Sequence, residues 1–127
     1  MNISEDLLYT ENHEWIQVIE RVAYIGLSEY GQDALGEIVF VEMPELGKKV
    51  SKGDEVLSIE SAKVAQALIT PLSGIIMNMN ENLSEEPERV NNDAFGTFIY
   101  SLQLSNMEEL DSYMNAEEYR KFINDPD

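Results

Sequence analysis

Cysteine is absent from the 127-residue chain. That excludes a disulfide framework and a thiolate metal site, and leaves any thiol chemistry to a bound group. Basic side chains are scarce: 8 Lys and Arg stand against 25 Asp and Glu, giving a formal charge of −17. A surface of that sign repels phosphate backbones and anionic lipid heads and favours encounter with basic patches on other proteins. Protein partners are therefore expected, with neither nucleic acid nor membrane. No run approaches the roughly 18 apolar residues needed to cross a bilayer. The opening MNISEDLLYTENHEW has no basic region followed by an apolar stretch, so a cytoplasmic protein is expected. The one histidine, His13, has no evident partner and is weak evidence for acid–base catalysis.

What is present is enough for a single domain spanning 1–127, because 43% apolar residues can build one continuous core. Between Trp15 and Leu104 the chain reads as short β-prone runs separated by turn residues: Trp15 to Ile19, Val22 to Leu27, Ile38 to Met43, Glu55 to Ile59, Ile75 to Met79 and Phe98 to Leu104. In the last run Phe98, Tyr100, Leu102 and Leu104 alternate with Ile99, Ser101 and Gln103, so the more apolar face should meet the core. Pro44 with Gly47, Lys52-Gly53-Asp54, and Pro71 with Gly74 supply breaks. A mainly β sandwich or barrel is expected, with helices at its margins. Ser28 caps a short helix through Leu35, ended by Gly36 in a left-handed conformation. Ser105 and Glu108 have capping-box spacing, and Asn115 caps a last helix carrying Tyr119, Phe122 and Ile123.

Lys63 stands among small and apolar residues in SIESAKVAQALITPLSG. Two local conformations fit. The residues of ESAKVAQAL are good helix formers, and Glu60 with Lys63 would pair at i,i+3, making the lysine a solvated surface charge. In the other, Leu57 and Ile59 alternate on one arm of a hairpin and Val64 to Ile69 form the second, with Ser61-Ala62-Lys63 near the bend. Lys63 then projects from a tip.

The segment KGDEVLSIESAKVAQALITPLSGII resembles the lipoyl-attachment region of the glycine cleavage system H-protein family: a Lys-Gly turn, a strand, Glu-Ser-x-Lys, a strand, then Pro-x-Ser-Gly. YTENHEW, IGLSEYGQDALGEIVFVEMPELGK and NAEEYRKFI resemble further signatures of that family, in its order and spacing. A lone Glu-x-x-Lys would carry little, whereas segments across nearly the whole chain are specific. The resemblance implies a barrel-sandwich hybrid with short peripheral helices and a C-terminal helical segment. It implies lipoate as covalent cofactor on Lys63, and the methionines usual around a biotinyl lysine are absent, Ala62 and Val64 standing there instead. Glu60 would serve recognition by a lipoate ligase or lipoyl transferase. Glu14 and Asn12 would line a groove for the loaded arm. The implied role is that of a carrier without catalytic residues, moving an aminomethyl group between glycine decarboxylase, aminomethyltransferase and dihydrolipoamide dehydrogenase.

Three departures bear on that role. The family's second acid, four residues beyond the lysine, is Ala67; a serine two residues before the matched acid is Asn12; and a Pro-Tyr-Gly-x-Gly-Trp loop, expected near the sheltered arm, is replaced by Ala94-Phe95-Gly96-Thr97-Phe98, one residue shorter. The alternatives are a lipoate-binding protein carrying sulfur intermediates in a heterodisulfide-reductase-like oxidation pathway, and an unlipoylated interaction protein.

Overall fold

A computed structural model describes residues 2–124. Among these residues, nine strands form two antiparallel sheets. They are β1 (Leu8–Tyr9), β2 (Glu14–Ile19), β3 (Val22–Leu27), β4 (Ile38–Val41), β5 (Lys49–Val50), β6 (Glu55–Ser61), β7 (Ala65–Ile69), β8 (Gly74–Met79) and β9 (Tyr100–Leu104). The larger sheet has the order β1-β2-β3-β9-β8-β5 and the smaller β4-β6-β7. Ile16, Ile25, Leu27, Tyr100 and Leu102 from the first meet Ile38, Leu57, Ile59 and Leu68 from the second in one buried cluster, as the alternation along β9 predicts. Ser101 is buried as well, at 1% exposure, because the other face of this central strand is also covered.

Several boundaries differ from expectation. β4 stops at Val41, two residues before Met43, and only Glu42 N–H continues the pairing, to Ser58 O at 2.9 Å. β9 begins at Tyr100 and not Phe98. β6 extends to Ser61. The helical alternative for Glu60 to Leu68 is overturned: β6 and β7 form a hairpin that buries Leu57 against Leu68, with Glu60 opposite Ala65. Burial of the alternating arm outweighs the helical propensity of its alanines.

Ser28 caps α1 (Glu29–Leu35) through Gly31 N–H. Gly36 follows with φ 88° and ψ −163°. It is thus not in the left-handed helical well but in an extended positive-φ region open essentially to glycine alone. The expected cap at Ser105 is shifted: Asn106 accepts from Glu108 N–H, and the segment Met107–Ser112 is a 3-10 turn. A second 3-10 turn at Glu81–Ser84 and α2 (Arg89–Asn92) lie between β8 and β9, where no helix was expected. Asn115 does cap α3 (Ala116–Phe122), with Glu118 completing the capping box. This helix packs on the outer face of the large sheet, where Tyr119 stacks on Tyr9 with ring centroids 4.4 Å apart and both are fully buried beside Trp15.

Candidate functional site

Lys63 lies in the bend between β6 and β7 and is exposed. The bend is closed by its own serine. Ser61 N–H donates to Val64 O at 2.8 Å, and Ser61 Oγ accepts from Lys63 N–H at 3.2 Å and Val64 N–H at 3.1 Å. Ala62 N–H donates to Glu37 O at 2.9 Å, tying the tip to the chain leaving α1. The lysine methylenes lie over Gly36: a Cβ built there would stand 3.5 Å from Lys63 Cε. Asn91 fixes that glycine, donating to Gly36 O at 2.8 Å and accepting from Ile38 N–H at 2.8 Å. A shallow depression beside it is lined by Asp33, Glu37 and Glu88. Glu60 is exposed on β6, paired with Ala65 on one side and Phe40 on the other. Among the described residues it forms no ion pair with Lys63.

Asn12, Glu14 and Ala67 converge on a cavity of about 80 Å³, completed by Gln66, Leu68 and Ile69 along β7. The site residues expected from sequence thus fall into two groups, Lys63 with Glu60 at the hairpin and Asn12 with Glu14 in this cavity, and β7 leads from one to the other. The turn Thr10–Glu14 is held by Thr10 Oγ1, which accepts from the N–H groups of Asn12 and Glu14 at 3.2 Å each. His13 takes φ 64° to close it. Glu14 is 2% exposed. Its Oε1 has one donor, Thr10 Oγ1 at 3.3 Å, and its Oε2 is buried with no hydrogen-bond partner. Burial, opposed only by that hydrogen bond, pushes the carboxyl up to about 8. A second cavity, of about 430 Å³, adjoins along Asn12 and Ile69 and reaches Lys52, Thr70 and Tyr113.

A glycine cleavage H-protein family model matches residues 7–126. The chain belongs to the glycine cleavage H-protein family. It is 39% identical over 125 residues to the glycine cleavage system H protein of Thermoanaerobacter sp. (strain X514), covering 98% of this chain and 99% of that one. It is 42% identical over 120 residues to the corresponding protein of Clostridioides difficile (strain 630), covering 94% and 96%. The crystal structure of a glycine cleavage system H protein from Mycobacterium marinum superposes with a TM-score of 0.86 at 31% identity, covering 96% of this chain and 99% of that chain. The barrel-sandwich lipoyl fold expected from sequence is the fold found.

The Ala94–Phe98 segment lines neither cavity. It packs on the outer aromatic cluster: Ala94 O accepts from Trp15 Nε1 at 3.0 Å, Phe95 meets the Tyr9 ring edge-on and Phe98 meets Tyr24. It lies across β2 from the Glu14 cavity, because successive residues Glu14 and Trp15 point to opposite faces of the strand. His13 Nδ1 lies 3.0 Å from Tyr119 Oη, and its ring packs against Tyr30 and Phe122, lining neither cavity. Sequence reading missed the supporting roles of Ser61, Thr10 and Asn91. The first two sit inside the quoted motifs, where their hydroxyls could have been read as turn acceptors. Asn91 gives no local signal, since its partners are 53 to 59 residues away.

Proposed function

We propose that this single-domain chain is the lipoyl carrier of a cytoplasmic glycine cleavage system. Its cargo on this reading is the aminomethyl group, moved between glycine decarboxylase, aminomethyltransferase and dihydrolipoamide dehydrogenase. The observation that carries the reading is Lys63 at the apex of a hairpin whose backbone donors are satisfied internally by Ser61 and Glu37. The side chain is exposed and in no ion pair among the described residues, so a lipoate ligase or lipoyl transferase can reach the ε-amine and form the amide. A lipoyl group there would supply the dithiolane that a cysteine-free chain lacks.

The remaining residues have roles in recognition and holding, none in catalysis. Glu60, three residues from Lys63 and exposed, offers the modifying enzyme a carboxylate. The acids Asp33, Glu37 and Glu88 beside the tip favour encounter with basic docking patches, an attraction that weakens with salt. Glu14 and Asn12 offer acceptors in a space of about 80 Å³, room for a small polar head of methylammonium size. Ala67, which leaves Glu14 as the one carboxyl of that cavity, favours a second reading in which the arm carries neutral or anionic sulfur intermediates. The test is glycine decarboxylation and bicarbonate exchange with purified glycine decarboxylase and the lipoylated protein. Loading supports the first reading. A lipoylated protein that glycine decarboxylase cannot load rejects it.

A further inference from the structure

The chain leaving α1 passes the hairpin tip as a strand-like segment whose polar groups alternate in direction. Gly36 O and Ile38 N–H face α2, whereas Glu37 O, between them, faces the tip and accepts from Ala62 N–H at 2.9 Å. The Asn91 side chain supplies the partner on the α2 side. Its Nδ2 donates to Gly36 O at 2.8 Å and its Oδ1 accepts from Ile38 N–H at 2.8 Å. One amide bonding the residues on either side of its neighbour is the pattern of a parallel strand pair, so Asn91 takes the place of a single strand residue. Nδ2 also donates to Gln32 Oε1 at 2.7 Å, and Gln32 Nε2 in turn donates to Glu29 O at 3.0 Å. Val90, 1% exposed in the core, anchors α2 and with it the amide.

Lys63 lies over this segment. The φ and ψ of Gly36 restrict its position to glycine, so the floor under the lysine is bare backbone. A Cβ built there would stand 3.5 Å from Lys63 Cε, 3.7 Å from Cδ and 3.8 Å from Nζ. The end of the side chain is therefore laid on the segment that Asn91 pins. We propose that Asn91 is a positioning residue for the modification of Lys63. By holding Gly36 and Ile38 from the α2 side it fixes the floor and, through Glu37 O, the tip in the arrangement in which the lysine is offered to the modifying enzyme. The inference rests on the carrier reading for the modification itself, and adds to it the residue that sets the lysine's geometry. Without the amide, Gly36 O and Ile38 N–H lose their partner and the segment relaxes toward water. Glu37 O moves with it, and the bond that ties Ala62 to the segment opens. The ε-amine stays exposed and as nucleophilic as before. Its orientation is what is lost, and re-ordering it costs affinity for the enzyme and not the rate of the chemical step.

The experiment compares the unlipoylated wild type with Asn91→Ala and Asn91→Asp. Asn115→Ala, which uncaps α3 on the outer face of the large sheet, controls for lost stability alone. Steady-state lipoylation by a lipoate ligase is followed by intact mass at varied protein concentration, and exchange of the Ala62 amide is followed by NMR. Both Asn91 variants should raise KM for the protein roughly two- to tenfold, the range that one lost neutral hydrogen bond spans, and leave kcat within about twofold. Asn91→Asp keeps an acceptor for Ile38 N–H but has no donor for Gly36 O, and it serves alone if Asn91→Ala does not fold. Ala62 sits at an exposed tip, so its amide exchanges by local opening, and its protection should fall by a similar factor in both variants. Asn115→Ala should change neither KM nor Ala62 exchange. An unchanged KM in the Asn91 variants, an equal rise in Asn115→Ala, or an Ala62 amide as protected as in the wild type overturns the proposal. A wild type that the ligase does not modify rejects the carrier reading and this role with it, whereas a wild type modified no more readily than its Asn91 variants rejects the role alone.

Discussion

Replacing Glu14 by Gln should stabilise the folded protein at neutral and alkaline pH, although it removes a residue of the candidate site. Burial raises the folded carboxyl from 4.5 to about 8, so between those values the folded state holds a proton that the unfolded chain has lost. Stability then falls as pH rises through the window, since the slope follows the protons bound unfolded minus those bound folded. At about 1.4 kcal/mol per unit, a displacement of roughly 3.5 units costs the wild type about 5 kcal/mol above pH 8.5, and about 3 kcal/mol at pH 7. Glutamine has the shape of the neutral acid, can still accept from Thr10, and does not titrate. Urea unfolding of both proteins from pH 4.5 to 9 at fixed ionic strength provides the comparison. The other acidic residues are common to both proteins, so their contributions largely cancel in the difference. The two stabilities should agree within about 1 kcal/mol near pH 4.5, with Glu14→Gln ahead by about 3 kcal/mol at pH 7. A difference that does not change with pH, or a wild type that is the more stable at pH 8, would refute the buried neutral acid.

Lys63→Arg should fold normally and accept no lipoate, because a guanidinium keeps the charge of the tip but is not a substrate for amide formation; circular dichroism and intact mass after incubation with ligase check both halves. Glu60→Ala should cost under about 1 kcal/mol of stability, as an exposed substitution, yet slow lipoylation; unchanged modification kinetics would remove Glu60 from recognition. Ala67→Asp should lengthen the half-life of the aminomethyl-loaded form by roughly tenfold, if a charge-assisted hydrogen bond of about 1.5–3 kcal/mol is partly realised at the cavity mouth. An unchanged or shorter half-life would place the cationic group elsewhere.

The strand pattern was legible in β3, where Ala23, Ile25 and Leu27 alternate on the core face and the expected and observed limits coincide at Val22–Leu27. It failed where neighbours decide. ESAKVAQAL carries helical propensity, and only the pairing of Leu57 with Leu68 across the hairpin settles it as strand. Lys63, Glu60, Glu14 and Asn12 could be named from motifs, because each lies in a short signature. That Asn12 and Glu14 share a cavity with Ala67 depends on β7 passing the Thr10–Glu14 turn, a relation between segments more than 50 residues apart. The protonation of Glu14 was not legible at all. In sequence it is an ordinary acid in a chain with 25 of them, and only its burial and its unpartnered Oε2 set it apart.

The carrier role stands or falls on Lys63, and intact mass followed by peptide mapping of the protein from its native host addresses it most directly. One lipoyl increment is expected, located on the peptide containing Lys63 and absent from the peptides containing Lys48, Lys49, Lys52 and Lys121. An unmodified chain isolated from cells whose other lipoyl proteins are fully modified, or an increment on any other lysine, would contradict it.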